Sequence, residues 1–191
     1  MFEEGFPDDL RDDVLLVVKL IPFKTFSDIS IVTSADYIQY FQEGRLIKFP
    51  HRIYFIDLDS ECMDKLTLQQ QMILHCIYTR SCDGYVRQKH LRALLEKEYE
   101  EWTIPYIVKL CDEYVVQIIE MTYDILKLQN TEKIKKFCWE NRQAFSSSYD
   151  RMTSYWNEYY RYEYNYFSDY IGRKLFIECF GYSKSVKKAI K

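Results

Sequence analysis

Apolar residues recur at helical spacing from Leu66 onward and predict a succession of amphipathic helices. Thr67 is followed three residues later by Gln70, which is the capping-box arrangement that begins a helix. Asp83 and Asp112 are predicted to cap two further helices. The apolar residues after Asp112 lie nearly all round their helix, which predicts that it is the most buried one. The expected fold class is mostly α, built from stacked antiparallel helical hairpins or an irregular helical bundle.

The C-terminal third keeps the helical spacing and is rich in aromatic residues. A helix is predicted to begin at Thr131, and the serines at 146–148 are expected to break it and to cap a new helix that runs to about Tyr170. The apolar residues of this last stretch form two stripes, whereas a helix at the edge of a bundle needs only one. One stripe consists of Tyr155, Tyr159, Tyr162 and Tyr166, and the other of Trp156, Tyr160, Tyr164, Phe167 and Ile171. Gly181 is expected to end the final helix.

The first apolar stretch of the chain follows Pro7. This proline and the two acidic residues after it suit a first helical turn, where carboxylates meet free backbone amides. Val14 and Val17 would then face inward. The run 14–18 also fits a buried strand, because so short an apolar run has no distinguishing period. We expect the helix.

The next segment is predicted to hold a short helix and a β-hairpin. Ser34 as a cap and Gly44 in a left-handed closing conformation would bound the helix. The segment 46–56 is rich in β-branched and aromatic residues and is interrupted by Pro50, which favours a small hairpin. Two such strands need the helical part to lie against.

A seven-residue sequence motif, which we term the repeated phrase, occurs twice in the helical part. Cys82–Gln88 returns as Cys111–Gln117 with five of seven positions identical, at an interval of 29 residues. A self-similar unit of that size is typical of stacked helical hairpins. The alternative is a plain helical bundle in which the repeated phrase is a coincidence.

The two phrases resemble HEAT-type α-solenoid repeats, in which an apolar helix ends at Asp and Val-Arg opens the next helix. The resemblance covers about residues 67–128 and implies a scaffold of stacked hairpins that binds partners without a shared chemistry. It also implies that Asp83, Asp112 and Arg87 belong to a structural hydrogen-bond ladder between neighbouring units. The second unit departs from the family pattern, since Val116 stands where the arginine is expected.

Composition describes a globular protein enriched in aromatic rings. The 191 residues are 48% hydrophobic and 29% charged, so the chain can bury a full core, and 17% are aromatic, with 18 Tyr and 12 Phe. We expect residues 1–60 to form a mixed N-terminal segment packed on a helical-repeat-like domain at 61–191, which together make one compact domain.

Charge and cysteine usage exclude several classes of partner. The formal net charge of −3 gives no field that would draw the chain to a phosphate backbone, so no nucleic acid is expected. The six cysteines lack CxxC or disulfide spacing, and no apolar run approaches the roughly 20 residues of a membrane span. We expect free thiols, no membrane partner and a cytoplasmic location. An ordinary solvated tail is predicted for the terminal lysines, Lys184, Lys187, Lys188 and Lys191.

One motif suggests an enzyme. The apolar run 53–56 ends in Asp57-Leu58-Asp59 and is similar to the opening motif of haloacid-dehalogenase-like phosphotransferases and to the metal-binding DxD of sugar-nucleotide transferases. That resemblance implies Asp57 as a nucleophile and Mg²⁺ held by both carboxylates. Both families need alternating strands and helices, whereas the pattern after Asp59 is nearly all helical. We interpret the two residues as a solvated strand end and turn.

Histidine and cysteine form no recognisable ligand pattern. His75 and Cys76 are adjacent and so point to different helix faces, and neither pairs with Cys82 or His90 at zinc-finger spacing. His90 is interpreted as a core histidine on an apolar helix side. No phosphate-binding glycine loop or hydrolase motif is present. We therefore expect no cofactor and no catalytic residue.

The sequence favours a non-catalytic helical module that binds a protein partner, for instance a neutralising, immunity or regulatory protein. The candidate contacts are Arg87, Gln88, Arg92, Tyr155, Tyr159, Tyr162 and Tyr166, provided that the tyrosine stripe is exposed and not covered by other helices. The alternative function is a metal-dependent phosphotransferase or hydrolase that uses Asp57 and Asp59.

Overall fold

The computed structural model describes residues 2–21, 33–97 and 99–183, and it falls into two compact units, Met1–Lys97 and Glu98–Lys191. The described chain is mostly helical, as predicted, with 59% helix in nine α-helices and one small antiparallel sheet of two strands. The unit boundary lies well beyond the change of composition near residue 60. The C-terminal lysine cluster falls outside the described residues.

Among the described residues, no helix combines the length and the apolar character that crossing a membrane requires.

The N-terminal unit begins with two short 3-10 turns, Glu3–Gly5 and Asp8–Leu10, that lead into helix α1, Arg11–Leu20. Val14 and Val17 are buried on one side of α1, while the leucines between them are exposed. This period of three to four residues is that of an amphipathic helix. The predicted helix is confirmed, and the alternative of a buried strand at 14–18 is wrong.

A β-hairpin follows, with strand β1 at Tyr37–Gln42 and strand β2 at Arg45–Pro50. Glu43 and Gly44 form its two-residue turn with φ of 50° and 78°. Two positive φ angles in succession give a turn whose twist matches that of the paired strands. The helix predicted over residues 34–44 is therefore wrong.

The hairpin predicted at 46–56 is also wrong, because β2 pairs with the strand before it and Pro50 pairs with Tyr37 at its end. Alternation explains the pairing: Tyr40, Ile47 and Phe49 are buried on one face of the hairpin. The aromatic residues of β1 have a spacing that also fits a helix. The strand is formed because β2 pairs with it, and the two strands together bury one face of the hairpin.

The chain after the hairpin runs in an extended course beside the next two helices. The Ile53 amide donates to the Arg80 carbonyl, and the Cys82 amide donates to the Ile53 carbonyl, both at 2.9 Å. Helix α2, Ser60–Met63, is capped by Asp59, whose carboxylate accepts from the Cys62 amide at 2.9 Å.

Helices α3, Leu68–Tyr78, and α4, Gly84–Leu95, pack against each other, and α3 also packs on α1. The predicted capping box at the start of α3 is confirmed, since the Gln70 amide donates to the Thr67 hydroxyl and the Gln70 side chain accepts from the Thr67 amide. Asp83 stands at the cap of α4, where its carboxylate accepts from the Tyr85 amide at 2.8 Å.

The described part of the C-terminal unit consists of helices and turns and contains no strand. Its helices are α5, Ile104–Leu110; α6, Val116–Leu126; α7, Glu132–Glu140; α8, Arg142–Tyr155; and α9, Ile171–Lys174. Helix α5 packs on α7, and α6 packs on α9. Every residue of α5 is buried, so the prediction that the helix after Asp112 is the most buried one is wrong. Helix α6 keeps an exposed side that includes Gln117 and Asp124.

The predicted break at the serines 146–148 is wrong, because α8 runs through them and the break lies at Asn141. The Asn141 side chain donates to the Phe137 carbonyl at 3.0 Å and so satisfies a carbonyl at the end of α7. The Ser147 hydroxyl donates to the Gln143 carbonyl at 3.2 Å, one turn back. A serine bonded in this way is tolerated inside a helix.

The predicted continuous helix to Tyr170 is also wrong. Helix α8 closes with one π turn at Trp156–Tyr160, and the chain then forms successive turns until α9. Helix α9 likewise extends into a π turn at Leu175–Cys179. Gly181, with φ of 74°, ends this helix as predicted, and the Tyr182 amide donates to the Phe176 carbonyl at 2.8 Å.

Replacing Glu43 with Asn should stabilise the protein by a few tenths to about 1 kcal/mol, because Asn adopts positive φ more readily than Glu. Gly44→Ala should destabilise it by about 1 kcal/mol through the same backbone requirement. Urea unfolding of both variants measures the two changes. A helix at this position would give the opposite sign for Glu43→Asn, since Asn has the lower helix propensity.

Candidate functional site

Five tyrosines of the C-terminal unit expose part or most of their side chains, and we term them together the tyrosine surface: Tyr114, Tyr155, Tyr159, Tyr162 and Tyr166. Tyr155 is half-buried, and the other four are exposed by 54% (Tyr114), 57% (Tyr159), 84% (Tyr162) and 72% (Tyr166). The rings of Tyr114, Tyr155 and Tyr159 lie at the corners of a nearly equilateral triangle, with centroid separations of 6.2, 6.3 and 6.2 Å.

Neighbouring aromatic residues fix this surface from behind. The Tyr160 hydroxyl donates to the Tyr114 carbonyl and accepts from the Val116 amide, which ties the end of α8 to the start of α6. The Trp156 indole donates to the Tyr164 carbonyl at 3.0 Å, and this bond closes the turns after α8. The Tyr160 ring stacks on the buried Tyr170.

Tyr160 and Tyr164 differ from the tyrosine surface in the environment of their hydroxyl groups. The Tyr164 hydroxyl donates to the Glu120 carboxylate at 3.0 Å, and burial together with this carboxylate raises the pKa of Tyr164 to about 12. Burial also raises the pKa of Tyr160. These two phenols stay protonated donors within the fold, while the rings of the tyrosine surface face outward.

Two residues of the predicted stripe, Tyr162 and Tyr166, are exposed from turns and not from a helix as expected. Tyr155 and Tyr159 lie on α8 and its π turn, whereas Tyr162 and Tyr166 lie in the turns that follow. Tyr114 was not among the predicted contacts, although the repeated phrase places a tyrosine there. Its counterpart in the first phrase, Tyr85, is exposed by 86%.

Of the three predicted contacts on α4, Arg87 is buried, with 3% of its surface exposed. Its Nη1 donates to the carbonyls of Ser81 and Cys82 at 2.9 and 3.0 Å, so the guanidinium stabilises the turn before α4. Arg87 is therefore a structural residue of this turn, and the prediction that it lies on a binding surface is wrong. Gln88 is half-buried, and Arg92 is exposed beside Glu96 with an ion pair of 3.6 Å.

The prediction that Asp112 caps a helix is wrong, because Val115 holds the cap position of α6 and Asp112 is a buried charge in the turn before it. Its carboxylate accepts from Lys109 at 2.8 and 3.0 Å, from the Ser148 hydroxyl at 2.7 Å and from Arg151. Burial by itself would raise the pKa of Asp112, but the two cations hold it below its ordinary value.

Asp57 and Asp59 are both engaged by protein donors. Asp59 caps α2, and Asp57 accepts from Lys89 at 2.6 Å and pairs with His90 at 2.7 Å. Residues 2–21, 33–97 and 99–183 contain no group of three His, Cys, Asp or Glu residues that could hold a metal ion.

The pairing of Asp57 with His90 extends to a second imidazole. His90 Nδ1 lies 2.8 Å from His75 Nδ1, and the Tyr78 ring stacks on His90 at 4.8 Å. Burial, and then the neighbouring His90, lower the pKa of His75 to about 3. Sequence reasoning treated the two histidines separately, although both lie on the apolar sides of neighbouring predicted helices and that placement was the available signal.

This chain of side chains is oriented the wrong way for a catalytic triad. A general base must bring its imidazole to a substrate. Here the carboxylate of Asp57 is the solvent end, with 24% of its side chain exposed, while His90 and His75 are buried behind it. The arrangement can bind or release protons inside the unit, and it presents no imidazole to a substrate.

No protein-family model, no curated protein and no solved structure matches this chain.

Asp112→Asn should destabilise the protein by about 3 kcal/mol or more, because it removes the charge of the buried carboxylate that Lys109 and Arg151 both contact. Asp83→Asn is the matched control from the first copy of the phrase, and it should cost less than about 0.5 kcal/mol since Asn caps a helix as well as Asp. Urea unfolding at pH 7 compares them. Equal, small losses in the two variants would contradict a buried, charged Asp112.

Proposed function

We propose that this protein is a non-catalytic helical module whose protein partner contacts the tyrosine surface. The observation that carries the proposal is the exposure of Tyr114, Tyr159, Tyr162 and Tyr166 in one unit. Tyrosine offers a large rigid contact area together with a hydroxyl that can donate or accept, and it is enriched among the residues that dominate binding energy.

The polar neighbours of the tyrosine surface suit the rim of an interface. Glu158 and Glu163 are exposed, and the Arg161 guanidinium lies 5.7 Å from the centre of the Tyr162 ring. Interfaces commonly surround an aromatic centre with such charged groups, which select the partner more than they strengthen binding.

The fixed backbone behind the rings lowers the entropic cost of binding. Tyr160 bonds the loop that carries Tyr114 to the end of the helix that carries Tyr159. Tyrosine side chains have only two soft torsions, so little freedom is lost when a partner orders them. The three-ring triangle of Tyr114, Tyr155 and Tyr159 is therefore the proposed centre of the interface.

A HEAT-like scaffold remains part of the proposal. The packed pair α3 and α4, with Asp83 at the turn, supports one such hairpin. The second phrase lies in the C-terminal unit, where α5 and α6 pack mainly on α7 and α9, so an irregular bundle is the alternative there. Arg92 and Gln88 on α4 are secondary candidate contacts. A neutralising or regulatory partner protein is one biological form of this function.

A cytoplasmic location is likewise proposed. All six cysteines are free thiols, and four of them are buried: Cys76, Cys111, Cys138 and Cys179. Thiols in this state suit a reducing compartment.

The double variant Tyr114→Ala, Tyr159→Ala removes two of the three rings at the proposed centre and should lose at least tenfold in partner affinity, because truncation of a hot-spot tyrosine costs about 2 kcal/mol or more. The matched control is Tyr85→Ala, an exposed tyrosine outside the tyrosine surface. The measurement is quantitative mass spectrometry of proteins retained by the tagged full chain and its variants, followed by affinity titration of the retained partner.

The unfolding free energy of the double variant should fall by less than about 1 kcal/mol, as for other exposed positions. A loss of roughly 3–5 kcal/mol would show that the rings are core residues. Retention of the same partner with unchanged affinity by the double variant would overturn the proposed interface.

A further inference from the structure

Three separate elements of the N-terminal unit meet through one chain of hydrogen bonds. Asp57 belongs to the extended course before α2, His90 to α4 and His75 to α3. The Asp57 Oδ1 to His90 Nε2 distance is 2.7 Å, and the His90 Nδ1 to His75 Nδ1 distance is 2.8 Å. The two imidazoles thus join α3, α4 and the extended course.

The number of protons on this chain is limited by its geometry. Asp57 accepts from His90 Nε2, so the contact between the two Nδ1 atoms holds one proton, donated by one ring and accepted by the other. One further proton can be added to the pair without breaking either bond. Once both rings are imidazolium, two N–H groups face each other at 2.8 Å, and the contact can no longer be a hydrogen bond.

The charges around the two histidines do little to stabilise a second imidazolium. Asp57 is the neighbouring anion, and its other oxygen is bonded to Lys89 at 2.6 Å. Lys89 and Lys97 both disfavour positive charge on His75. On α1, which packs against α3, the Asp13 carboxylate is bonded to Gln69 and Gln70 at the start of α3.

We propose that the His75–His90 pair is an acid-operated latch, which holds α3 to α4 while the Nδ1 contact contains a single proton and releases when both rings become charged. The released state is one in which His75 is hydrated and takes its proton freely. Because the Tyr78 ring stacks on His90 and the Tyr78 hydroxyl donates to the Ile56 carbonyl, release also loosens the extended course beside α3.

The effect is confined to one unit by the placement of histidine in the sequence. The chain has three histidines, His51, His75 and His90, and all three precede residue 98. Histidine is the side chain whose ordinary titration falls between pH 5 and 8. Mild acid therefore acts on the N-terminal unit, and the C-terminal unit with its tyrosine surface is an internal reference.

The test is native-state hydrogen exchange on the full chain at pH 7 and pH 5, with each amide rate corrected for its intrinsic pH dependence. If His75 stays neutral in the closed state and has an ordinary pKa near 6.5 in the open state, the opening equilibrium rises about 25-fold over this interval. Protection of the α3 and α4 amides should fall by that factor, while protection in α5, α6 and α8 should change little.

Two variants isolate the pair. His75→Asn keeps a donor toward His90 Nδ1 but cannot be charged, so the 25-fold response should disappear. His51→Gln removes the third histidine and should retain the response in full. An undiminished response in His75→Asn, or a fall of equal size in the C-terminal unit, would overturn the latch.

A measurement on the unmodified chain covers the case in which His75→Asn does not fold. Nuclear magnetic resonance of the three imidazole Cε1 protons follows each histidine between pH 7.5 and 4.5. The latch requires that the closed state bind no more than one added proton on the pair. Ordinary titration of both His75 and His90 with unchanged amide protection would refute it.

Discussion

A carboxylate that is wholly or partly removed from water must be surrounded by donors, and in each unit one aspartate imposes this constraint on its neighbours. In the N-terminal unit Asp57 aligns Lys89 and His90, and through His90 it fixes His75. In the C-terminal unit Asp112 gathers Lys109, Ser148 and Arg151 from α5 and α8. These contacts join elements that are distant in sequence, and hydrophobic packing alone would hold them with less geometric definition.

The aromatic residues divide into two populations with different roles. The hydroxyls of Tyr160 and Tyr164 donate hydrogen bonds to the Tyr114 carbonyl and the Glu120 carboxylate, and their rings are half-buried. Tyr159 and Tyr162 follow or precede them by one or two positions and face outward. The fold thus uses one set of phenols to hold the backbone in place and leaves the other set exposed, which is the basis of the proposed binding function.

Local signals predicted the helices better than they predicted the contacts between them. The Thr67 capping box and the Gly181 helix end are decided by a few neighbouring residues, so the sequence was sufficient there. The strand at 37–42 could be recognised only with its partner, and Asp112 became a buried ion centre because of residues up to 39 positions away. The histidine pair depends on how α3 and α4 face each other, and no spacing rule along one helix reports that.

The two Cys-Asp phrases show that the same residue can have very different structural roles in two copies of one motif. Asp83 is an exposed helix cap that Asn, Ser or Thr could replace, whereas Asp112 is enclosed by two cations and a hydroxyl. Over evolutionary time the first aspartate is free to drift among the capping residues. The second can change only together with Lys109 and Arg151, so the internal repeat should fade from its first copy while the second stays fixed.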